Sequence, residues 1–148
     1  HKSVSHRTNK SPEDIVMQAI QNISAPIARV LLSLIFIIAG LQKVGTYGET
    51  AAYMDSQGVP GALVPLVILV EVGGGLMVLL GWKARIAAFL LGGFSVIAGV
   101  LFHLIPAQGM EGFDQQLQMI MFMKNVAIAG GMGMIVHAGA GSYALDNR

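Results

Sequence analysis

The chain has 148 residues, of which 54% are apolar and only 11% charged, against about 25% charged in a typical soluble domain. That is too little charge to coat a water-exposed surface, so a membrane protein of single-domain length is expected. Nine Lys/Arg against eight Asp/Glu give a formal net charge of +1, which excludes a nucleic-acid binder's basic patch. The lack of cysteine excludes a disulfide framework, thiolate metal sites and thiol relays.

Residues 1–10 are polar and read as a disordered N-terminal arm. Ser11-Pro12-Glu13-Asp14 is a helix start, with an N-cap hydroxyl, Pro at the first helical position and acids in the first turn. Ile15, Val16, Ala19, Ile20 and Ile23 then fall largely on one face, so residues 11–24 are expected to form an amphipathic helix lying on the membrane surface. Ser24 and Pro26 supply a second start signal, where the chain turns into the first span. Four apolar stretches, Ala25 to Val44, Ala62 to Leu80, Ile86 to Ile105 and Leu117 to Val136, approach or reach the roughly 20 helical residues that cross a bilayer. They lack strand alternation. The fold expected is all-α: an integral membrane four-helix bundle over residues 25–146, preceded by the interfacial helix. No cleavable signal peptide is expected, because the first apolar run lies too far in and is followed by three more.

Lys and Arg in the flanks set orientation. Lys2, Arg7, Lys10, Lys83, Arg85 and Arg148 lie on one side and Lys43 on the other, which puts both termini in the cytoplasm. Tyr47 and Tyr53 near the outer ends, with Trp82 and Tyr143 near the inner ones, suit the aromatic belts.

Each span contains or abuts a group that hydrocarbon tolerates poorly: Lys43, Glu71, His103 and Lys124. A charge at mid-bilayer costs about 2.5 to 3.5 kcal/mol on insertion scales, so such groups normally face a partner or a wet cavity. Glu71 lies roughly 13 Å and Lys124 roughly 10 Å inward from the outer ends of their spans, while His103 and Lys43 sit near those ends. All four are expected in the outer half. Small residues one helical turn away (Gly40, Gly74 and Gly75, Gly99, Ala127) turn each of them toward packed interior. Two lysines outnumber one glutamate, so the excess charge must be offset by Glu111 or Asp114 folding in, by water, or by an anionic or carbonyl-bearing ligand. The alternative is a closed Glu71 to Lys124 pair, with Lys43 and His103 reaching out to the interface. Arg29, near the cytoplasmic end of the first span, reads as a snorkelling anchor.

Met119, Met121 and Met123 scatter around a helix at their period-two spacing, so packing is favoured over a soft-metal site. Gly73-Gly74-Gly75 and Gly130-Gly131-x-Gly133 lie inside apolar runs and read as helix-packing notches. His137 reads as an interfacial residue. No metal-ligand spacing and no Ser/His/Asp set appears.

Arg29 with Leu34-Ile35-Phe36 through Ala39-Gly40-Leu41-Gln42-Lys43 opens a longer pattern. Glu71-Val72-Gly73-Gly74 through Leu80-Gly81 to Arg85 comes next, then Phe102-His103, Lys124-Asn125-Val126-Ala127 and Gly139-Ala140-Gly141-Ser142-Tyr143-Ala144-Leu145-Asp146. In order and spacing this resembles the DoxX family of small bacterial inner-membrane proteins. The resemblance covers about Ala25 to Asp146 and implies a four-helix bundle in the cytoplasmic membrane. It draws attention to Arg29, Lys43, Glu71, His103, Lys124 and Asn125. Relatives include the DoxD subunit of thiosulfate:quinone oxidoreductase, and others are linked to oxidative stress and sulfur compounds, so a quinone or a sulfur oxyanion is the implied ligand.

Glu71 and His103 are thus the candidate catalytic residues, Lys43, Lys124 and Asn125 the candidate ligand-binding residues, and Arg29, Gly74 and Gly75 structural. One expectation is a quinone-linked redox subunit working with a partner subunit or as a homo-oligomer. There Lys43, His103 and Lys124 are donors to the ligand and Glu71 accepts the proton. The other is a non-catalytic membrane scaffold whose buried charges fix helix register. A small-molecule permease is a third reading, disfavoured by four spans without inverted-repeat signals.

Overall fold

A computed structural model describes residues 9–148, so most of the expected N-terminal arm lies outside the described residues. Ser11 caps the first helix as its sequence dictates: its hydroxyl oxygen accepts from Asp14 N at 3.2 Å and its backbone N donates to Asp14 Oδ2 at 3.1 Å. The helices are α1 (Pro12–Gly45), α2 (Tyr47–Ser56), α3 (Gly61–Leu80), α4 (Ala84–Ala107) and α5 (Gly112–Ala138). Among the described residues, α1, α3, α4 and α5 are long and apolar enough to cross a membrane. They form the bundle.

The separate interfacial helix expected over residues 11–24 is not there. Those residues are the first turns of α1, one predominantly apolar helix that runs through Ser24 and Pro26 to Gly45. Proline ends or kinks many helices because it leaves the carbonyl four residues back without a donor. Here that carbonyl belongs to Asn22, and the Ser142 hydroxyl donates to it from the C-terminal segment. At 1.5 Å per residue α1 is roughly 51 Å long, against a hydrocarbon core of about 30 Å. Its first turns therefore continue past the bundle, with Ile15, Val16 and Ile20 exposed.

Within the bundle, α1 turns Arg29, Ser33, Phe36 and Gly40 inward, and the alternating spacing of four and three makes them a single seam. Arg29 is not the snorkelling anchor its position suggests. It is 3% exposed, and its guanidinium donates to Ala140 O, to Ser142 O at 2.9 Å and to Tyr143 O at 2.8 Å. The tail is tied down at two further points. Asp146 caps α4, accepting from Lys83 N at 2.6 Å and Ala84 N at 2.9 Å, and its own N–H donates to Gly81 O at 2.8 Å. Beside it Arg85 donates to the last carbonyls of α5, Val136 O and His137 O, both at 3.1 Å. The order Gly139 to Asp146 is thus a clasp closing one end of the bundle.

Helix packing follows the small residues. Leu91, Met132 and Val78 are fully buried beside Ala84, Ala87 and Ala88, and the alanines let α4 approach its neighbours closely. Gly74 meets Leu91, and Gly131 meets Leu32. Gly130 and Gly133 have open space around them, so only the central glycine of that cluster is a notch within the chain. A Cβ on Gly75 would lie 2.7 Å from Ile37 Cγ1 and 3.4 Å from Ser33 O. Gly75→Ala is accordingly expected to push α3 off α1 at a cost of about 1 to 3 kcal/mol, read as a lower melting temperature in detergent.

Candidate functional site

Gly40 and Lys43 sit one turn apart on the inward seam of α1, and the pair builds the first half of the site. A Cβ on Gly40 would lie 2.6 Å from Val72 Cγ2 and 3.1 Å from Glu71 Cβ, so the glycine lets α3 come close enough for Lys43 to reach its carboxylate. Lys43 Nζ lies 2.7 Å from Glu71 Oε1, and Glu71 is 3% exposed. The alternative of a closed Glu71 to Lys124 pair is not what forms: Glu71 pairs with Lys43 instead, whose ammonium turns to the carboxylate rather than outward.

Glu71 occupies a π-turn, Leu69–Gly73, set within α3, and His103 occupies a second, Val100–Leu104, within α4. Each π-turn widens the helix by one residue and re-aims the side chains of the turns beyond it, and such turns recur at functional sites. His103 Nδ1 lies 2.7 Å from Gln118 Oε1 on α5. The span expected to begin at Leu117 in fact begins at Gly112, so Gln118 sits in the second turn of the helix rather than at its start. Gln118 escaped the sequence reading: six residues before Lys124, it does not share that residue's helix face, which takes a spacing of three or four.

Lys43, Glu71, His103, Lys124 and Asn125 all line one cavity of about 280 Å³ among the five helices. The sequence reading expected four of them at one depth, and the structure brings them together. Lys124 is mid-helix in α5 and exposed, on the open side of the cavity rather than in packed interior, with Nζ 3.5 Å from Met121 Sδ. Asn125 packs against Gly99, where a Cβ would lie 3.1 Å from its own. Glu111 and Asp114 stay exposed at the start of α5 and do not line the cavity. Among the described residues the one ion pair is Lys43 to Glu71, so the site carries one cation beyond its carboxylate. Among the same residues no cluster of three His, Asp or Glu is placed to hold a metal ion.

The remaining walls are aromatic and apolar, with Phe36, Phe94 and Phe102 among them. Helix α2, absent from the sequence reading, covers the end away from the chain termini with Thr50, Tyr53 and Met54. Its amphipathic signal is weak, but its C-terminal half is fastened. Asp55 Oδ1 accepts from Gly61 N at 2.7 Å, and the Tyr53 ring lies 5.8 Å from that of Phe102. Chemically the cavity offers aromatic and apolar walls with an ammonium group on its open side, a buried carboxylate at its inner wall and an imidazole beside them.

Comparison with known proteins agrees with the bundle. The DoxX family model matches residues 25–104, more than half of the chain. The chain is 38% identical over 130 residues to the inner membrane protein YqjF of Escherichia coli (strain K12), covering 88% of this chain and 95% of that protein. It is 35% identical over 124 residues to the inner membrane protein YphA of the same organism, covering 82% and 87% respectively. No solved structure matches. The match to the family model takes in the Arg29 to Lys43 seam, Glu71 and His103, and the relatives extend over most of the remainder: the chain belongs to the DoxX family.

Proposed function

We propose that this chain is a quinone-linked subunit of a redox system in the bacterial cytoplasmic membrane, with both termini in the cytoplasm and the cavity opening toward the outer face. The observation that carries the reading is Lys124, a mid-helix cation on the rim of an aromatic-walled cavity, with no carboxylate paired to it among the described residues. A charged residue at that depth is costly without a partner, and a carbonyl or phenolate oxygen is one. Phe94 and Phe102 would hold a flat ring, while Lys124 and Asn125 would orient its oxygen. Quinone, when bound, supplies two-electron chemistry coupled to protons. Glu71, held by Lys43 at the inner wall, would take or return the proton.

The test is the quinone content of protein purified in mild detergent. Wild type is expected to carry stoichiometric quinone, and Lys124→Met to bind it about tenfold to a hundredfold more weakly, the worth of one hydrogen bond from a charged donor. Trace quinone at equal levels in both would sink the reading. The scaffold reading is favoured by one observation, the direct contact of Lys43 and Glu71 between the two helices that Gly40 and Gly75 bring together. The exchange of Lys43 with Glu71 separates the two.

A further inference from the structure

We infer that Gln118 is a positioning residue that makes His103 a hydrogen-bond acceptor toward the cavity, so that the site selects a ligand carrying a free hydroxyl, the hydroquinone or phenol form. The inference rests on the quinone-class reading of the cavity and adds which redox form it holds. An amide oxygen can only accept. With the Gln118 amide turned so that Oε1 faces His103 Nδ1 at 2.7 Å, the hydrogen belongs on Nδ1, and in the neutral ring the lone pair is then on Nε2.

Free imidazole side chains in water favour the opposite arrangement, with hydrogen on Nε2. The contact from α5 thus reverses the intrinsic preference. Nε2 has no hydrogen-bond partner among the described residues, and the ring lines the cavity. The π-turn at Val100–Leu104 and the two helices around it set the ring's place. Beside the donors Lys124 and Asn125, His103 Nε2 then offers an acceptor. A quinone bearing two carbonyls has no hydrogen to give it, whereas a hydroquinone satisfies both kinds of group, its hydroxyl donating to Nε2 and its other oxygen accepting from Lys124 Nζ.

Two readouts test this on the full-length protein in detergent, kept anaerobic and reduced. The first is nitrogen NMR of protein labelled at histidine, with His103 assigned by its loss in His103→Asn. The wild-type ring is expected with hydrogen on Nδ1, Gln118→Met with hydrogen mainly on Nε2, and Gln118→Glu with both nitrogens protonated. The second is binding of a short-chain hydroquinone against its dimethyl ether, which keeps the ring and loses both donors. Wild type should prefer the hydroquinone about tenfold, the value of one hydrogen bond, and both Gln118 variants should lose that preference.

A merely structural Gln118 would leave the near-isosteric Gln118→Glu indistinguishable from wild type in both readouts, which overturns the inference. Hydrogen on Nε2 in the wild type overturns it directly. Failure of both compounds to bind overturns the quinone-class reading and the hydroxyl preference with it, while the nitrogen signals separately decide what Gln118 does to the ring.

Discussion

Lys43→Met alone is expected to lower the stability of the bundle by about 3 to 5 kcal/mol, the range found when one partner of a buried ion pair is removed. It strands Glu71, which is 3% exposed and has Lys43 as its ion-pair partner. The double variant Lys43→Met with Glu71→Gln should recover most of that loss, because neutral side chains of similar shape remove the uncompensated charge. Thermal melting in detergent reads both. The exchanged pair, Lys43→Glu with Glu71→Lys, divides the two functional readings. A scaffold in which the contact only sets the spacing of α1 and α3 regains folding and in-cell activity. A redox site regains folding and loses turnover, since the carboxylate has moved to the other wall. Equal melting of wild type and Lys43→Met would show that the contact carries no stability.

Arg29→Ala is expected to be as damaging by a different route. Three backbone carbonyls, those of Ala140, Ser142 and Tyr143, lose their donor at once, and an unsatisfied buried acceptor costs about 1 to 3 kcal/mol. Solvent reaching the freed tail offsets part of this, leaving about 3 to 5 kcal/mol. The C-terminal clasp should detach, so limited proteolysis should cut near residues 139–147 well below the melting temperature. Arg29→Lys should rescue only partly, because a single ammonium cannot reproduce the fork that reaches several carbonyls. A tail that stays resistant in Arg29→Ala would refute the clasp.

Much of this architecture can be read from the residues alone. The four spans are visible as apolar length, and Lys43, Glu71, His103 and Lys124 are conspicuous because hydrocarbon selects against them. Their convergence follows from shared depth and, for Lys43, Glu71 and His103, from the glycines beside them, whereas Ala127 does not turn Lys124 into packed interior. What escaped has a physical cause in each case. The choice of partner for Glu71 depends on the exact rotation of α3, and a helix projected at 3.6 residues per turn knows nothing of a π-turn that adds one residue. The join at Pro26 depends on a hydroxyl 116 residues later in the chain, at Ser142, which no local start signal reveals. Arg29 does belong to the Ser33, Phe36, Gly40 seam by spacing, and that periodicity outranks its nearness to the membrane edge. Helix α2 is short and weakly patterned, fastened by Asp55 and Tyr53 around one buried apolar side chain, Met54, rather than by an apolar face several residues long.

The clasp around Arg29 also has a temporal side. The guanidinium enters the membrane with the first helix, yet its first carbonyl partner, Ala140, lies 111 residues further along. At bacterial synthesis rates of about 5 to 20 residues per second, the interval is about 6 to 20 seconds. During that time the charge has none of its final partners, and a long side chain near the bilayer edge relieves itself by reaching for headgroups and water. The snorkelling posture that the finished molecule does not show is the one appropriate to the nascent chain. Closure of the bundle in this sense waits for residues 139–146, which convert a membrane anchor into an internal tie.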